Sequence, residues 1–294
     1  MKLMSYYKFV HTLLSLLQNY VMKYILTTLF SCALINSYAQ KHSLEKIWQT
    51  DTIVAVPESV LADAGKNILY ISLIDGAGWD ADGKGGIGKL TPDGKSYDST
   101  WITGLNAPKG MGIYNNRLFV ADINNVAVID IKNGRIEKKI NIDSAIGLND
   151  ITISNKGIVY VSDSKTARIW RIENDKPELY LSNVNGVNGL KCIGDELFIG
   201  SGKSFIKANT QKQITNIAQL PEGIDGIEPV GNGDFILTAW VGYIFYVSAA
   251  GNVETLLDTH LEKKNTADIG YDTAKRIVYV PTFNAKTVVA YMLK

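Results

Sequence analysis

From residue 40 to the end of the chain, apolar and polar residues alternate with period two in short bursts separated by turn dipeptides. Residues 147–164, GLNDITISNKGIVYVSDS, show the unit. The polar pair Asn149-Asp150 runs into Ile151-Thr152-Ile153, a turn follows at Asn155-Lys156-Gly157, and a second alternating strand spans 158–162 before Asp163. The same unit recurs at 57–72, 107–122, 187–202, 224–240 and 267–282. Two strands joined by a tight turn, the second ending on a small or acidic residue, form the inner half of a propeller blade. Further strands follow: 86–91 and 96–104 in the first unit, 126–131 and 135–142 in the second, 167–172 and 178–182 in the third. The last unit has only three strands, 268–271, 276–281 and 287–293, whereas residues 44–50 (LEKIWQT) form a strand with no unit of its own. Joining that strand to the last unit closes a ring and removes the exposed sheet edges of an open array. The pattern predicts an all-β fold, a six-bladed β-propeller of four-stranded blades over residues 40–294, with the last blade closed by the N-terminal strand.

Aligned on their first strands, the six units place Glu58, Lys109, Asn149, Asn188, Asp225 and Asp268 at one equivalent position, at steps of 51, 40, 39, 37 and 43 residues. Steps of this size are those of a blade. The innermost strands of a propeller line its central channel, so the starts of all six converge near the axis. Turn chemistry explains any one of these residues, since Asn188-Gly189 and Asp225-Gly226 are common turn dipeptides. It does not explain a polar residue at every one of the six. Glu58, Asn149, Asn188 and Asp225 offer carboxylate and amide oxygens and no nitrogen or sulfur donor, which suits Ca²⁺, or Mg²⁺ or Mn²⁺, rather than zinc or copper. Converging carboxylates repel and desolvate one another, and a cation relieves both costs.

Composition narrows the chemistry. The chain has 294 residues with 46% apolar and 20% charged residues, ordinary globular values. Beyond residue 39 the balance is 27 basic against 29 acidic residues, with no basic run or Arg-rich stripe, so no nucleic-acid partner is expected. The three histidines, His11, His42 and His260, lie away from the repeated strand starts, which excludes a histidine-based triad or a zinc site there. The two cysteines are Cys32 and Cys192, and Cys192 reads as a small buried apolar residue of a strand. Residues 1–39 read as a signal peptide. Met22-Lys23 precedes an apolar run over 24–35, and Ser37 and Ala39 stand at the minus-three and minus-one positions of a cleavage site. Because Met22 opens a complete signal, it is a candidate true start. Leu29-Phe30-Ser31 before Cys32 gives the alternative of a lipoprotein anchored at Cys32. The uncharged run between Lys23 and Lys41 is 17 residues, short of the roughly 20 that a span needs. A monomer in the periplasm or secreted medium, with no retained transmembrane helix, is expected.

The longest interruption of the repeat is residues 75–86, DGAGWDADGKGG. Asp80-Ala81-Asp82-Gly83 looks like the start of a calcium loop, but Thr91 stands where the twelfth-position Glu of an EF-hand belongs. A Gly-rich rim loop is the simpler reading. Trp240 ends a second strand where other units carry Asp or Ser, and is either packed between blades or a wall of a substrate site. Asp122 and Asp163 end second strands and are expected to accept backbone hydrogen bonds between blades, and Trp101, Trp170 and Tyr180 to pack there.

Over roughly residues 50–294 the chain resembles the six-bladed calcium-dependent propellers of the gluconolactonase, regucalcin (senescence marker protein) and luciferin-regenerating-enzyme group. The resemblance rests on Pro57-Glu58, Asn149-Asp150, Asn188-Gly189-Leu190 and Asp225-Gly226, in that order and at blade spacing. It implies that Glu58, Asn149, Asn188 and Asp225 hold the metal and that Asp225 is the general base. Two positions depart from it, Lys109 in the second blade and Asp268 in the sixth, and the Arg with which such enzymes hold sugar acids has no counterpart before Asn106. Lys109 either balances Glu58, Asp225 and Asp268 beside a divalent ion or takes part of the ion's place as a structural plug. The resulting expectation is a metal-dependent hydrolase of a lactone or similar cyclic ester, with Asp225 and Lys109 as catalytic residues and a small-molecule substrate. The alternative is a non-enzymatic periplasmic ligand-binding or scaffold propeller.

Overall fold

The computed structural model describes residues 42–294. The expected signal peptide over 1–39, the candidate start at Met22 and the alternative lipoprotein anchor at Cys32 fall outside the described residues. Twenty-four strands form six four-stranded antiparallel sheets. Blades one to five each run in chain order from an innermost to an outermost strand: Pro57–Asp63 to Tyr97–Leu105, Pro108–Tyr114 to Arg135–Asn141, Leu148–Ile153 to Lys176–Leu181, Val187–Ile193 to Ile214–Gln219, and Ile227–Gly231 to Val253–Asp258. Blade six consists of Gly270–Asp272, Ile277–Pro281 and Val288–Leu293, with Leu44–Gln49 as its outer edge. The predicted architecture is the observed one, and the strand limits read from the sequence differ by up to three residues. Two short 3₁₀ turns, His260–Glu262 and Phe283–Ala285, interrupt the loops. Among the described residues no helix is long and apolar enough to cross a membrane.

The apolar core divides into six clusters, one at each junction between neighbouring blades. Tyr70, Ile87 and Leu105 of blade one meet Leu118, Val120 and Ile129 of blade two. Val126 and Ile140 of blade two meet Val161 and Trp170 of blade three, and Ile169 and Leu181 meet Leu197 and Ile199 of blade four. The circuit continues through Phe205 and Phe235, then Ile236 and Val278, to Tyr279 and Val60. Each middle strand therefore buries both faces and is nearly continuously apolar, as in Asn125–Asp130 (NVAVID). Outermost strands keep one face in water and alternate, as in Arg135–Asn141 (RIEKKIN). Trp101, Trp170 and Tyr180 pack at blade junctions as expected. Asp122 accepts backbone N–H groups from Asn106 and Ala107 in the segment joining blades one and two, at 3.0 and 2.9 Å. Asp163 takes that of Ile146 at 3.3 Å.

Closure of the ring rests on the N-terminal strand. Leu44–Gln49 pairs antiparallel with Val288–Leu293, with a register shift between Lys46 and Trp48. That bulge turns Trp48 inward against Tyr279, with ring centroids 6.0 Å apart, while its indole N–H donates to Pro92 O of blade one at 3.0 Å. Thr50 continues the pairing, its N–H donating to Val288 O and its hydroxyl accepting from Val288 N, both at 3.0 Å. Removing residues 42–50 strips the outer edge of blade six and uncovers Tyr279. We expect the truncated protein to melt more than about 10 °C below one that begins at residue 40, since in a chain of this size each lost kcal/mol lowers the midpoint by roughly 2–4 °C. A calorimetric midpoint within a degree or two of that reference would show that the strand contributes nothing to closure.

Candidate functional site

The six predicted positions lie at one end of the channel, where the innermost strands depart from regular pairing. In blades one to four the register with the second strand shifts at the same place, between Pro57 and Val60, Pro108 and Met111, Leu148 and Ile151, and Val187 and Leu190. Two residues of each innermost strand there oppose one residue of its neighbour, a β-bulge, so both are freed from the ladder. The first of the two is the ring residue: Glu58, Lys109, Asn149 and Asn188 are each second in their strands. Asp225 and Asp268 precede the strands of blades five and six. In alternate blades a hydroxyl of the second strand accepts the N–H of the residue after the ring position. Ser72 takes that of Ser59, Ser162 that of Asp150 and Thr238 that of Gly226, at 2.9, 2.9 and 2.7 Å.

Glu58, Lys109, Asn149 and Asp225 are buried, and Asn188 and Asp268 partly so. Asn188 donates its amide to Asp225 Oδ1 at 2.7 Å. Asn149 donates its amide to Ser164 Oγ at 3.0 Å, and that hydroxyl donates to Val187 O at 2.6 Å. With both amide nitrogens engaged, the two amide oxygens are left over. Asn188 Oδ1 is buried with no hydrogen-bond partner, and so is Glu58 Oε2. Asp268 has the ring register but its carboxylate turns aside to accept the Ser59 hydroxyl. Among the described residues no three His, Cys, Asp or Glu side chains stand close enough to hold an ion by themselves. A cation at this end of the axis would therefore draw on amide as well as carboxylate oxygens. Two orphaned buried oxygens in an all-oxygen donor set fit a hard divalent ion.

Burial dominates the electrostatics. It pushes Asp225 up to about 7, against the opposing pull of the Lys109 charge and the Asn188 hydrogen bond. It pushes Asp268 up to about 8, against the Ser59 hydrogen bond and with help from the charges of Asp225 and Glu228. Glu58 is held well above the usual carboxylate range by burial, with Lys109 drawing it down and Asp225 and Asp268 raising it further. Lys109 thus acts on both Glu58 and Asp225, yet it forms no salt bridge among the described residues. Its ammonium lies over the ring of Trp79 instead, 4.4 Å from the centroid.

Three charged residues of the channel escaped the sequence reading. Asp150 follows Asn149 and enters the sequence pattern only as half of an Asn-Asp pair. The bulge turns it inward too, where it accepts the N–H groups of Ile151 and, across the blade junction, Leu190, both at 2.6 Å. Burial and the charges of Asp268 and Glu58 raise its pKa well above the ordinary value. Lys191 and Glu228 stand three residues beyond the ring in blades four and five, where they pair at 2.7 Å. Carrying the alignment of the units three residues further along the strands marks both positions as charged, but not as a pair.

The remaining candidates lie apart from the ring. Trp240 is 42% exposed and makes an edge-to-face contact with Phe283, with centroids 5.5 Å apart. It is a rim residue, not part of a blade-junction core. Asp82 accepts the N–H of Lys84 and pairs with its ammonium at 3.3 Å, so its carboxylate is occupied within the loop. Cys192 lines a cavity of about 230 Å³ between blades three and four, near the turn that begins at Ser154, the opposite end from the ring. Burial pushes its thiol up, away from the thiolate a nucleophile needs.

By sequence the chain matches no protein-family model and no curated protein. Its fold is similar to those of solved structures. Virginiamycin B lyase from Staphylococcus aureus, crystallised with quinupristin, superposes with a TM-score of 0.61 at 15% identity, over 86% of this chain and all of the other. A streptogramin B lyase gives 0.63 at 13% identity, over 86% of this chain and 97% of the other. Luciferin-regenerating enzyme gives 0.61 at 12% identity, over 85% of this chain and 95% of the other. At such identities the likeness is one of fold. The chain is a six-bladed propeller of the architecture that these enzymes share, and the gluconolactonase resemblance is not singled out among them.

Proposed function

We propose that the protein is an exported, divalent-metal-dependent hydrolase that opens a lactone or similar cyclic ester at the axial mouth. The observation that carries this reading is the pair of buried, unpartnered oxygens, Glu58 Oε2 and Asn188 Oδ1, beside Asp225. The fold likeness to enzymes supports catalysis over a purely structural role. Glu58, Asn149, Asn188 and Asp225 would hold the ion, Ca²⁺ in the first instance and Mg²⁺ or Mn²⁺ as alternatives. When bound, the ion polarises a carbonyl oxygen as a Lewis acid.

Asp225 has one oxygen anchored by Asn188 and the other unanchored by that bond. That second oxygen suits Asp225 to take a proton from the attacking water and return it to the departing ring oxygen. Lys109 adds positive charge at the same mouth, available to the negative charge that develops on the carbonyl oxygen during ring opening. The product is a hydroxy acid.

Millimolar Ca²⁺ should raise the melting temperature of the parent, since a ligand of the native state stabilises it by about 2.7 kcal/mol at a hundred times Kd. Glu58→Gln removes charge and keeps shape, Asn188→Ala removes a neutral oxygen, and each should reduce that rise. A parent with no thermal response to Ca²⁺, Mg²⁺ or Mn²⁺ would sink the metal site.

A pH dependence follows for the metal-free protein. Asp225 and Asp268 have folded pKa values of about 7 and about 8, above the roughly 3.9 of an unfolded Asp. The native state then binds more protons than the unfolded one over this window, so stability falls as pH rises from about 4 to 8. Added ion displaces those protons, so its affinity should rise over the same window and its binding should release protons, read as a buffer-dependent heat in calorimetry. Melting of the chelator-treated protein that is flat or rises between pH 5 and 8 would contradict the buried, protonated ring.

A further inference from the structure

The loop between the second and third strands of blade one carries Trp79, which is half-buried. Its ring centroid lies 4.4 Å from Lys109 Nζ and 4.6 Å from Lys165 Nζ. Lys109 belongs to blade two, and Lys165 to the loop after the second strand of blade three. One indole from blade one thus gathers the ammoniums of two other blades at the channel mouth. Neither lysine forms a salt bridge or donates a side-chain hydrogen bond among the described residues. The other axial lysine, Lys191, is fully served by Glu228 at 2.7 Å.

Lys109 is only 4% exposed. A cation–π contact offsets part of the hydration that such an ammonium loses, but it supplies no hydrogen-bond acceptor, and among the described residues no protein acceptor meets its three N–H donors. Two ammoniums against one ring also repel each other. An anion within reach of both ammoniums would supply the missing acceptor and offset the repulsion.

We propose that Lys109 and Lys165 are the recognition site for a carboxylate, so that the ligand of the axial mouth is a hydroxy acid or a lactone bearing a free carboxylate, with its carbon skeleton against Trp79. This assignment names the substrate class of the proposed hydrolase and rests on that reading of the mouth. A single negative charge suits the site better than a phosphate dianion, because Glu58 and Asp225 lie within electrostatic reach of Lys109.

Calorimetric titration of the Ca²⁺-loaded chain with sodium D-glucuronate, D-glucose and inorganic phosphate tests it, glucuronate and glucose differing in the carboxylate alone. Glucuronate should bind about tenfold more tightly than glucose, as a charge-assisted contact provides. Lys165→Met should weaken glucuronate about fivefold and leave glucose unchanged, the scale of an exposed ion pair, and Lys165→Arg should restore most of the loss. Glucuronate that binds no better than glucose, or not at all, overturns the proposal. So does an unaltered affinity in Lys165→Met, or phosphate binding more tightly than glucuronate. The Ca²⁺ thermal shift of the same samples without sugar separates the two readings: a normal shift with no glucuronate preference removes the carboxylate site alone, whereas a missing shift removes the metal.

Discussion

Six strands packed around one axis must approach one another at backbone distance, and the rest of the site follows from that crowding. A Cβ on Gly189 would lie 2.0 Å from Asp225 O, and one on Gly110 would lie 2.3 Å from Asp150 Oδ1 and 2.5 Å from its Cα. The residue after the ring position is glycine in blades two, four and five because the next blade occupies the space a side chain needs. The bulges belong to the same constraint. They let the innermost strands converge, and each frees two consecutive residues from the ladder. A channel built this way collects polar side chains and polar backbone together, and it excludes the water that would otherwise solvate them. Raised carboxylate pKa values are the electrostatic expression of that exclusion.

Most of the fold was legible in the sequence because the controlling signal is local. Period-two alternation and turns such as Asn232-Gly233 mark each strand pair, and both residues of that turn have positive φ in the structure. The orphan strand at 44–50 was legible by counting, since five complete blades and three further strands leave one edge open. The ring register was legible for the same reason, because equivalent positions of repeated units occupy equivalent places.

What escaped reading required knowledge of the third dimension. A strict two-residue period predicts that Asp150 points away from the face that carries Asn149, and only the bulge brings both inward. The Lys191–Glu228 pair depends on how neighbouring blades stagger, which no single unit encodes. Trp79 stands in a loop with no repeat partner, so no alignment assigns it a position, and its contacts reach two blades beyond its own. Asp268 shows the converse case. Its register was read correctly, but its carboxylate direction is set by Ser59 on the blade that meets it when the ring closes.

The shared sixth blade also sets an order for folding. Leu44 and Leu293 are register partners, so the longest loop closure in the molecule joins the two ends of the described chain. Blades one to five can each pair their strands as these emerge, because their pairings are sequential hairpins. The strand Leu44–Gln49 emerges before all of them and has no partner until Val288–Leu293 is made. During that interval its unpaired edge, with Ile47 and Trp48 on it, is available to other chains. Ring closure therefore cannot precede synthesis of the last strand, and it is the pairing with the largest loop-closure cost in the fold.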